Sequence, residues 1–389
     1  MTSPELFGLR GRLGRGRAAL LGLAILTGPS TAAADALLDE VVEFTGQVLF
    51  LETGVQGMVI AAVRDDESAV FGFGETSTGS GVAPDGRSLV RIGSITKVFT
   101  GEVLAGMAAD GTVGLADPLS EHLDPAVTVP SVDDRAIRLV DLATHSGGLP
   151  REVSRPPGPD DDPFSTITMA AFADWLRANP LLFKPGTAVL YSNFGFDLLA
   201  AGLAGAARRP YPELLEELVT GPLGMADTTF APTAEQKPRV MQGHGFDGEP
   251  LPDVPTGSVI VGSGGLYSTA DDLVRWLRWH LDRFSADDAE RRLLDHAVYL
   301  QRDGLPTVSG MDESGHMDAM GLGWVVMMPE GDRPLILQKA GGLQGFLSYL
   351  AVAPSRGVGA FVVINTFDFG AATTMTEFIN ELIAVLAPR

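Results

Sequence analysis

Strand-like runs gather at the two ends of this 389-residue chain, and the long stretch between them reads as helix and loop. Residues 56–63 and 69–74 are apolar runs separated by the polar turn Arg64-Asp65-Asp66-Glu67, a hairpin signal. Near the other end, residues 323–328, 335–339, 347–353 and 359–364 follow one another at hairpin spacing. Helical patterns bracket the two sets at residues 36–49 and 374–386. An isolated hairpin is marginal in water, so the two ends are expected to meet. The prediction is an α/β (α+β) fold in which one antiparallel sheet, flanked by helices, is built from both chain ends. Residues 35–93 and 320–389 form its sheet domain. Residues 94–319 form a mostly helical middle domain, with the site at the interface.

The length suits one large or two intimately joined domains. With 45% hydrophobic and 20% charged residues, the chain can bury a sizeable core, the opposite of a disordered balance. The first 34 residues stand apart. Arg10, Arg12, Arg15 and Arg17 precede an apolar stretch, and Ala32-Ala33-Ala34 fits a cleavage site. That pattern is a secretory signal with Asp35 as mature start, or else an uncleaved N-terminal anchor. No later apolar run is long enough to span a bilayer, so no transmembrane segment is expected in the mature chain. The chain has no cysteine, which excludes disulfides, thiolate metal sites and a cysteine nucleophile. Its net charge of −21 opposes nucleic-acid and anionic-lipid partners, and its plainest meaning is solubility.

Only four lysines are present, at positions 97, 184, 237 and 339. Lysine can give up its proton inside a site, which arginine cannot. Ser94-Ile95-Thr96-Lys97 follows a short strand over 89–92 and Gly93, and opens a helical pattern running to about 109. Positions three apart share a helix face, so Lys97 is placed to take the proton of the Ser94 hydroxyl if its amine is neutral. The alternative is an N-cap serine followed by a surface lysine. Tyr191-Ser192-Asn193 offers a second general base with an amide beside it, or simply a turn before a helix at Asp197. Lys339-Ala340-Gly341-Gly342 ends a strand-like run; its edge would take an extended peptide, and its glycines allow close approach. Lys184-Pro185-Gly186 reads as a turn. Residues 151–162 read as an exposed proline-rich loop, and 169–178, 197–207 and 211–220 as helices. Thr269 with Asp272 resembles a capping box. Trp276 and Trp279 on the following helix are core candidates.

In this order the three motifs resemble the penicillin-binding proteins and serine β-lactamases. The tyrosine version resembles the class C β-lactamase branch and its periplasmic D-alanyl-D-alanine carboxypeptidase/endopeptidase relatives. The likeness runs from about Gly57 to the C-terminus, through VDLATHSGGLP at 140–150, FKPGTAVLYSN at 183–193, PLGMADTTF at 222–230 and GSGGLYST at 262–269. It implies a β-lactamase/transpeptidase-like fold and an acyl-enzyme on Ser94, with proton transfer shared by Lys97 and Tyr191. It further implies that Asn193 positions substrate and that Lys339 attracts a terminal carboxylate and steadies the Tyr191 phenolate. Gly341 and Gly342 line the substrate strand, and the backbone N–H groups of Ser94 and Gly342 form the oxyanion hole. The implied partners are peptidoglycan stem peptides or small acyl substrates, with β-lactams as covalent ligands, in the periplasm.

One position departs from the family pattern, because Ala340 stands where threonine or serine is usual. The missing hydroxyl weakens the carboxylate site, which counts against strong carboxypeptidase or β-lactamase activity and raises the esterase reading; an esterase or β-lactamase with the same machinery is the first alternative. An inactive relative that only binds cell-wall peptides is a further alternative, opposed by the intact Ser94, Lys97 and Tyr191. His145 invites a Ser–His triad, but a structural histidine in a turn is the plainer reading. The other histidines lack metal-ligand spacing, and neither metal nor cofactor is expected.

Overall fold

The computed structural model describes residues 31–387. The expected export signal lies outside the described residues, except for its last four, which begin the first helix.

That helix, α1 (Thr31–Thr53), precedes the hairpin β1 (Gly57–Arg64) and β2 (Glu67–Gly74). Next come β3 (Val90–Arg91), α2 (Thr96–Ala109), the small hairpin β4 (Ser131–Val132) and β5 (Arg135–Ala136), and α3 (Leu139–Ala143). The middle continues with α4 (Met169–Ala178), β6 (Val189–Leu190), α5 (Asn193–Ala207), α6 (Tyr211–Leu215), β7 (Tyr267–Ser268), α7 (Ala270–Leu281) and α8 (Ala289–His296). The chain then adds β8 (Leu300–Gln301), β9 (Val308–Ser309), β10 (Ala319–Met320), β11 (Val325–Met327), β12 (Ile336–Leu343), β13 (Phe346–Ala353), β14 (Val358–Ile364) and the closing helix α9 (Phe369–Leu386).

The two ends of the chain meet as expected. The main sheet has the order β2-β1-β14-β13-β12-β11-β10-β8, and its pairs are antiparallel. The first hairpin joins the last strand through the register Met58↔Ile364 to Arg64↔Val358. β1 is buried nearly throughout, so its sequence is continuously apolar rather than alternating. Val59, Ala61 and Val63 pack in one core with α2, α5 and α7, while Met58, Ile60 and Ala62 pack in a second core with α1 and α9. The period-2 alternation of side chains thus divides one strand between two cores. Trp276 of α7 is fully buried, stacked on Phe99 at 4.3 Å and on Trp324 at 5.7 Å. Full burial of such a side chain contributes about 1.5–3 kcal/mol. No helix among the described residues is long and apolar enough to cross a membrane.

Three local expectations are corrected. The helix expected at Asp197 begins four residues earlier, at Asn193, because the Ser192 hydroxyl accepts the Gly195 N–H at 2.9 Å and caps it. The strand expected to end at Lys339 runs on to Leu343, since Ala340, Gly341 and Gly342 pair with Tyr349, Ser348 and Leu347. The capping box at Thr269 is half formed. Thr269 caps the Asp272 N–H at 3.2 Å, but the Asp272 carboxylate turns instead to the Asp227 N–H at 2.8 Å and the Thr228 hydroxyl at 3.0 Å.

Candidate active site

The site forms where the start of α2 faces the edge of β12. Ser94 lies in a tight 3₁₀ turn, Gly93–Ile95, immediately before α2. Gly93 has φ +53°, and a Cβ there would lie 2.5 Å from the Gly342 nitrogen. Glycine therefore answers both the left-handed backbone and the close approach of the strand. A Cβ on Gly341 would likewise collide with the Ile92 carbonyl. These two glycines let the serine turn and the strand edge pack backbone to backbone.

Lys97, three residues after Ser94, is completely buried. Its Nζ donates to Ser94 Oγ at 3.1 Å, Asn193 Oδ1 at 2.6 Å and the Ser263 carbonyl at 2.5 Å. The Tyr191 hydroxyl donates to Ser94 Oγ at 2.6 Å. The serine oxygen therefore touches both candidate proton carriers. Burial brings Lys97 down to about 7, against the opposing pull of Asp197 and Glu152. As a neutral amine it has two hydrogens and a lone pair. The hydrogens serve Asn193 and Ser263, and the lone pair is left facing the Ser94 hydroxyl.

Asn193 reaches this position because α5 starts there, one residue after the Ser192 cap. Its Nδ2 donates to Glu152 Oε1 at 2.6 Å. One helical turn on, Asp197 is buried and accepts the N–H groups of Gly262 at 3.2 Å and Ser263 at 2.9 Å, and the Ser263 hydroxyl at 2.9 Å. Burial pushes its carboxyl up to about 8. Asp197 thereby fixes the turn whose Ser263 carbonyl receives Lys97.

Lys339 stands on β12 with its Nζ 4.8 Å from the centre of the Tyr191 ring, and Lys97 Nζ lies 4.9 Å from the same centre. Burial lowers Lys339 to about 8, with Tyr191 opposing the shift and Lys97 adding to it. The Arg151 guanidinium lies 4.6 Å from that ring centre. Ser94, Tyr191, Lys339, Ala340, Gly341 and Gly342 line a cavity of about 580 Å³, together with Arg151, Glu313 and the aromatic rings of Phe367 and Phe369.

His145 is not part of a triad. Its ring stacks on Tyr191 at 4.5 Å and its Nδ1 accepts the Ser192 N–H at 3.0 Å. Burial depresses its basicity well below the ordinary histidine value. The neutral ring supports the tyrosine from behind, while Ser94 Oγ is held by Lys97 and Tyr191.

All seven candidate residues thus come together, four through direct hydrogen bonds and three along β12. Arg151, Glu152, Asp197 and Ser263 were not singled out from sequence. Asp197 carried a usable signal, because it lies four residues after Asn193 and so shares its helix face. Ser263 lies in the GSGGLYST run that carries the family likeness, though no role could be read for it there, and Glu152 lies on a loop and carried no signal.

A cleft serine with a buried lysine three residues on, a tyrosine on the serine oxygen and a lysine-bearing strand beside them define the class of serine hydrolases to which β-lactamases and penicillin-binding peptidases belong. The chain belongs to the β-lactamase family, whose profile matches residues 34–383. It is 38% identical over 351 residues to the D-alanyl-D-alanine-carboxypeptidase/endopeptidase AmpH of Escherichia coli K12, covering 90% of this chain and 89% of that one. A β-lactamase/D-alanine carboxypeptidase from Yersinia pestis, solved with citrate, is 38% identical and superposes with a TM-score of 0.82 over 92% of this chain and 99% of that one. A class C β-lactamase at 17% identity shares the fold, with a TM-score of 0.76 over 91% and 98% of the two chains.

Proposed function

We propose that this chain is a D-alanyl-D-alanine carboxypeptidase/endopeptidase acting on peptidoglycan stem peptides through an acyl-enzyme on Ser94. One observation carries the reading: Ser94 Oγ is held at 3.1 Å by a buried lysine amine and at 2.6 Å by a tyrosine hydroxyl. In this reading Ser94 Oγ attacks the scissile carbonyl while its proton passes to Lys97, activated by its neutral state. Tyr191, in contact with the same oxygen, delivers a proton to the leaving amine. The N–H groups of Ser94 and Gly342 stabilise the oxyanion. Asn193 holds Lys97 and the substrate amide, while Gly341 and Gly342 allow an extended peptide to lie along β12. Lys339 receives the terminal carboxylate. Water then releases the acyl group by the same proton route in reverse, and β-lactams occupy the same serine as covalent ligands.

The same reading places the protein in the periplasm, with residues 1–34 removed as a signal. Its site lies between a sheet domain (35–93 and 320–389) and a helical domain (94–319). A second reading, an esterase with identical machinery, is favoured by Ala340, which lines the cleft without a hydroxyl. Parallel rates on muropeptides, a chromogenic cephalosporin and a short-chain neutral ester separate the two. The peptidase reading expects the highest kcat/KM on muropeptides ending in D-Ala-D-Ala. Turnover of the ester alone would overturn it.

A further inference from the structure

Behind α2, on the side away from the cleft, lies a second polar cluster that the hydrolytic chemistry does not use. His280 of α7 and Asp295 of α8 have fully buried side chains, and His296, the last residue of α8, is 18% exposed. His280 Nδ1 lies 2.8 Å from His296 Nε2 and 3.6 Å from Asp295 Oδ2, and His296 Nε2 lies 3.7 Å from that same oxygen. The circle through three atoms so spaced has a radius of about 2.0 Å. An ion about 2.1 Å from each would stand about 0.7 Å off their plane, as at the apex above three corners of a tetrahedron.

We propose that His280 Nδ1, His296 Nε2 and Asp295 Oδ2 form a structural site for a divalent first-row transition ion, zinc being the best match to two imidazoles and one carboxylate.

Three further observations support the site. One of the donors is already held from its outer side, as a metal ligand usually is. Trp324 Nε1 donates to Asp295 Oδ2 at 2.9 Å, while His280 Nε2 lies 4.0 Å from Glu102 Oε2, too far for a direct hydrogen bond. That carboxylate is itself fixed by Trp276 Nε1 at 2.6 Å and by Arg291. Polar atoms are also left over: Asp295 Oδ1 and His280 Nε2 are buried without a hydrogen-bond partner among the described residues. Finally, of the two buried carboxylates, Glu102 is ion-paired with Arg291, while Asp295 has no arginine or lysine ion pair among the described residues. A divalent cation would supply the counter-charge that a buried Asp295 carboxylate needs. Replacing the ring-to-ring hydrogen bond by a shared ion asks the two imidazoles to part by about 0.6 Å. The partial exposure of His296 gives the ion a route in, with water or Asp295 Oδ1 as fourth ligand. The bound ion would tie α7 to α8 behind the helix that carries Lys97.

The test uses the full-length protein stripped with a chelator and titrated with Zn²⁺ or Co²⁺. Co²⁺ is expected to bind at one equivalent, with the strong visible absorption of a four-coordinate ion and quenching of the adjacent Trp276 and Trp324. Zn²⁺ should compete with it and raise the melting temperature. His296→Gln, at the most exposed ligand, should weaken binding by at least ~100-fold, beyond the 10–100-fold typical of outer-shell changes. His316→Gln is the control, because exposed His316 lies 3.7 Å from Asp312 and 3.8 Å from Asp318 and could hold ions weakly at the surface. It should leave the buried site intact. Equal binding by wild type and His296→Gln, no binding at all, or loss only in His316→Gln would each overturn the proposal.

Discussion

In the proposed mechanism the two lysines of the cleft should give a pH dependence that changes with the charge of the substrate. Lys97 must be neutral to take the Ser94 proton, and burial sets its pKa at about 7. That requirement is lost as pH falls through about 7. Lys339 must be protonated to hold a carboxylate, and burial sets its pKa at about 8. That requirement is lost as pH rises through about 8. For a peptide with a free C-terminus, the fraction of enzyme satisfying both conditions peaks at about 0.6 near pH ~7.5 and drops to about 0.1 at pH ~6 and pH ~9. A neutral ester needs only Lys97, so its kcat/KM should rise through about pH 7 and then stay level. The ratio of peptide to ester efficiency isolates Lys339 and should fall about tenfold between pH ~7 and pH ~9. The assay is kcat/KM for a D-Ala-D-Ala peptide and a short-chain ester over one buffer series, with folding checked at each pH. Lys339→Met should abolish the alkaline fall in the ratio. Superimposable profiles for the two substrates would refute the role of Lys339, and efficiency rising toward acid would refute that of Lys97.

Two mutational predictions follow from the contacts around the serine. Lys97→Arg puts a permanent cation where a neutral amine is required and cannot accept a proton, so turnover should be nearly abolished in steady-state assays, with the melting temperature read alongside to show that the fold persists. Tyr191→Phe removes the hydroxyl 2.6 Å from Ser94 Oγ and should lower kcat by roughly 10² or more. Near-normal rates in both variants would contradict their assignment. Ala340→Thr restores a hydroxyl beside Lys339. A charge-assisted hydrogen bond contributes about 1.5–3 kcal/mol, so efficiency on carboxylate-ended substrates relative to neutral esters should rise about tenfold. An unchanged ratio in a folded variant would remove Ala340 as a specificity determinant.

The architecture was legible because its signals are local. The terminal hairpins declare themselves by polar turns between apolar runs, and Ser94 and Lys97 are brought together by helical spacing alone. Tyr191 and Asn193 were readable as a motif, but not the reason they point inward, which is the Ser192 cap that starts α5 four residues ahead of Asp197. The apolar run alone stops at Lys339 because paired glycines usually weaken a strand; that β12 stays paired through Gly341 and Gly342 to Leu343 follows from the approach of the serine turn. Glu152 reaches Asn193 from a loop, and His280 and His296 meet across two helices. Such contacts depend on tertiary packing and leave no spacing to read. The apolar face of α7 foretold that Trp276 is core, but not that its indole N–H holds Glu102 behind the helix of Lys97.

In the proposed mechanism Ser94 forms the covalent acyl-enzyme. Intact-protein mass spectrometry after incubation with penicillin tests it most directly, followed by digestion to locate the adduct. One added drug mass is expected on the peptide containing Ser94 and none in Ser94→Ala, whose fold should be unaffected. An adduct that persists in Ser94→Ala, or that maps to another residue, would contradict it.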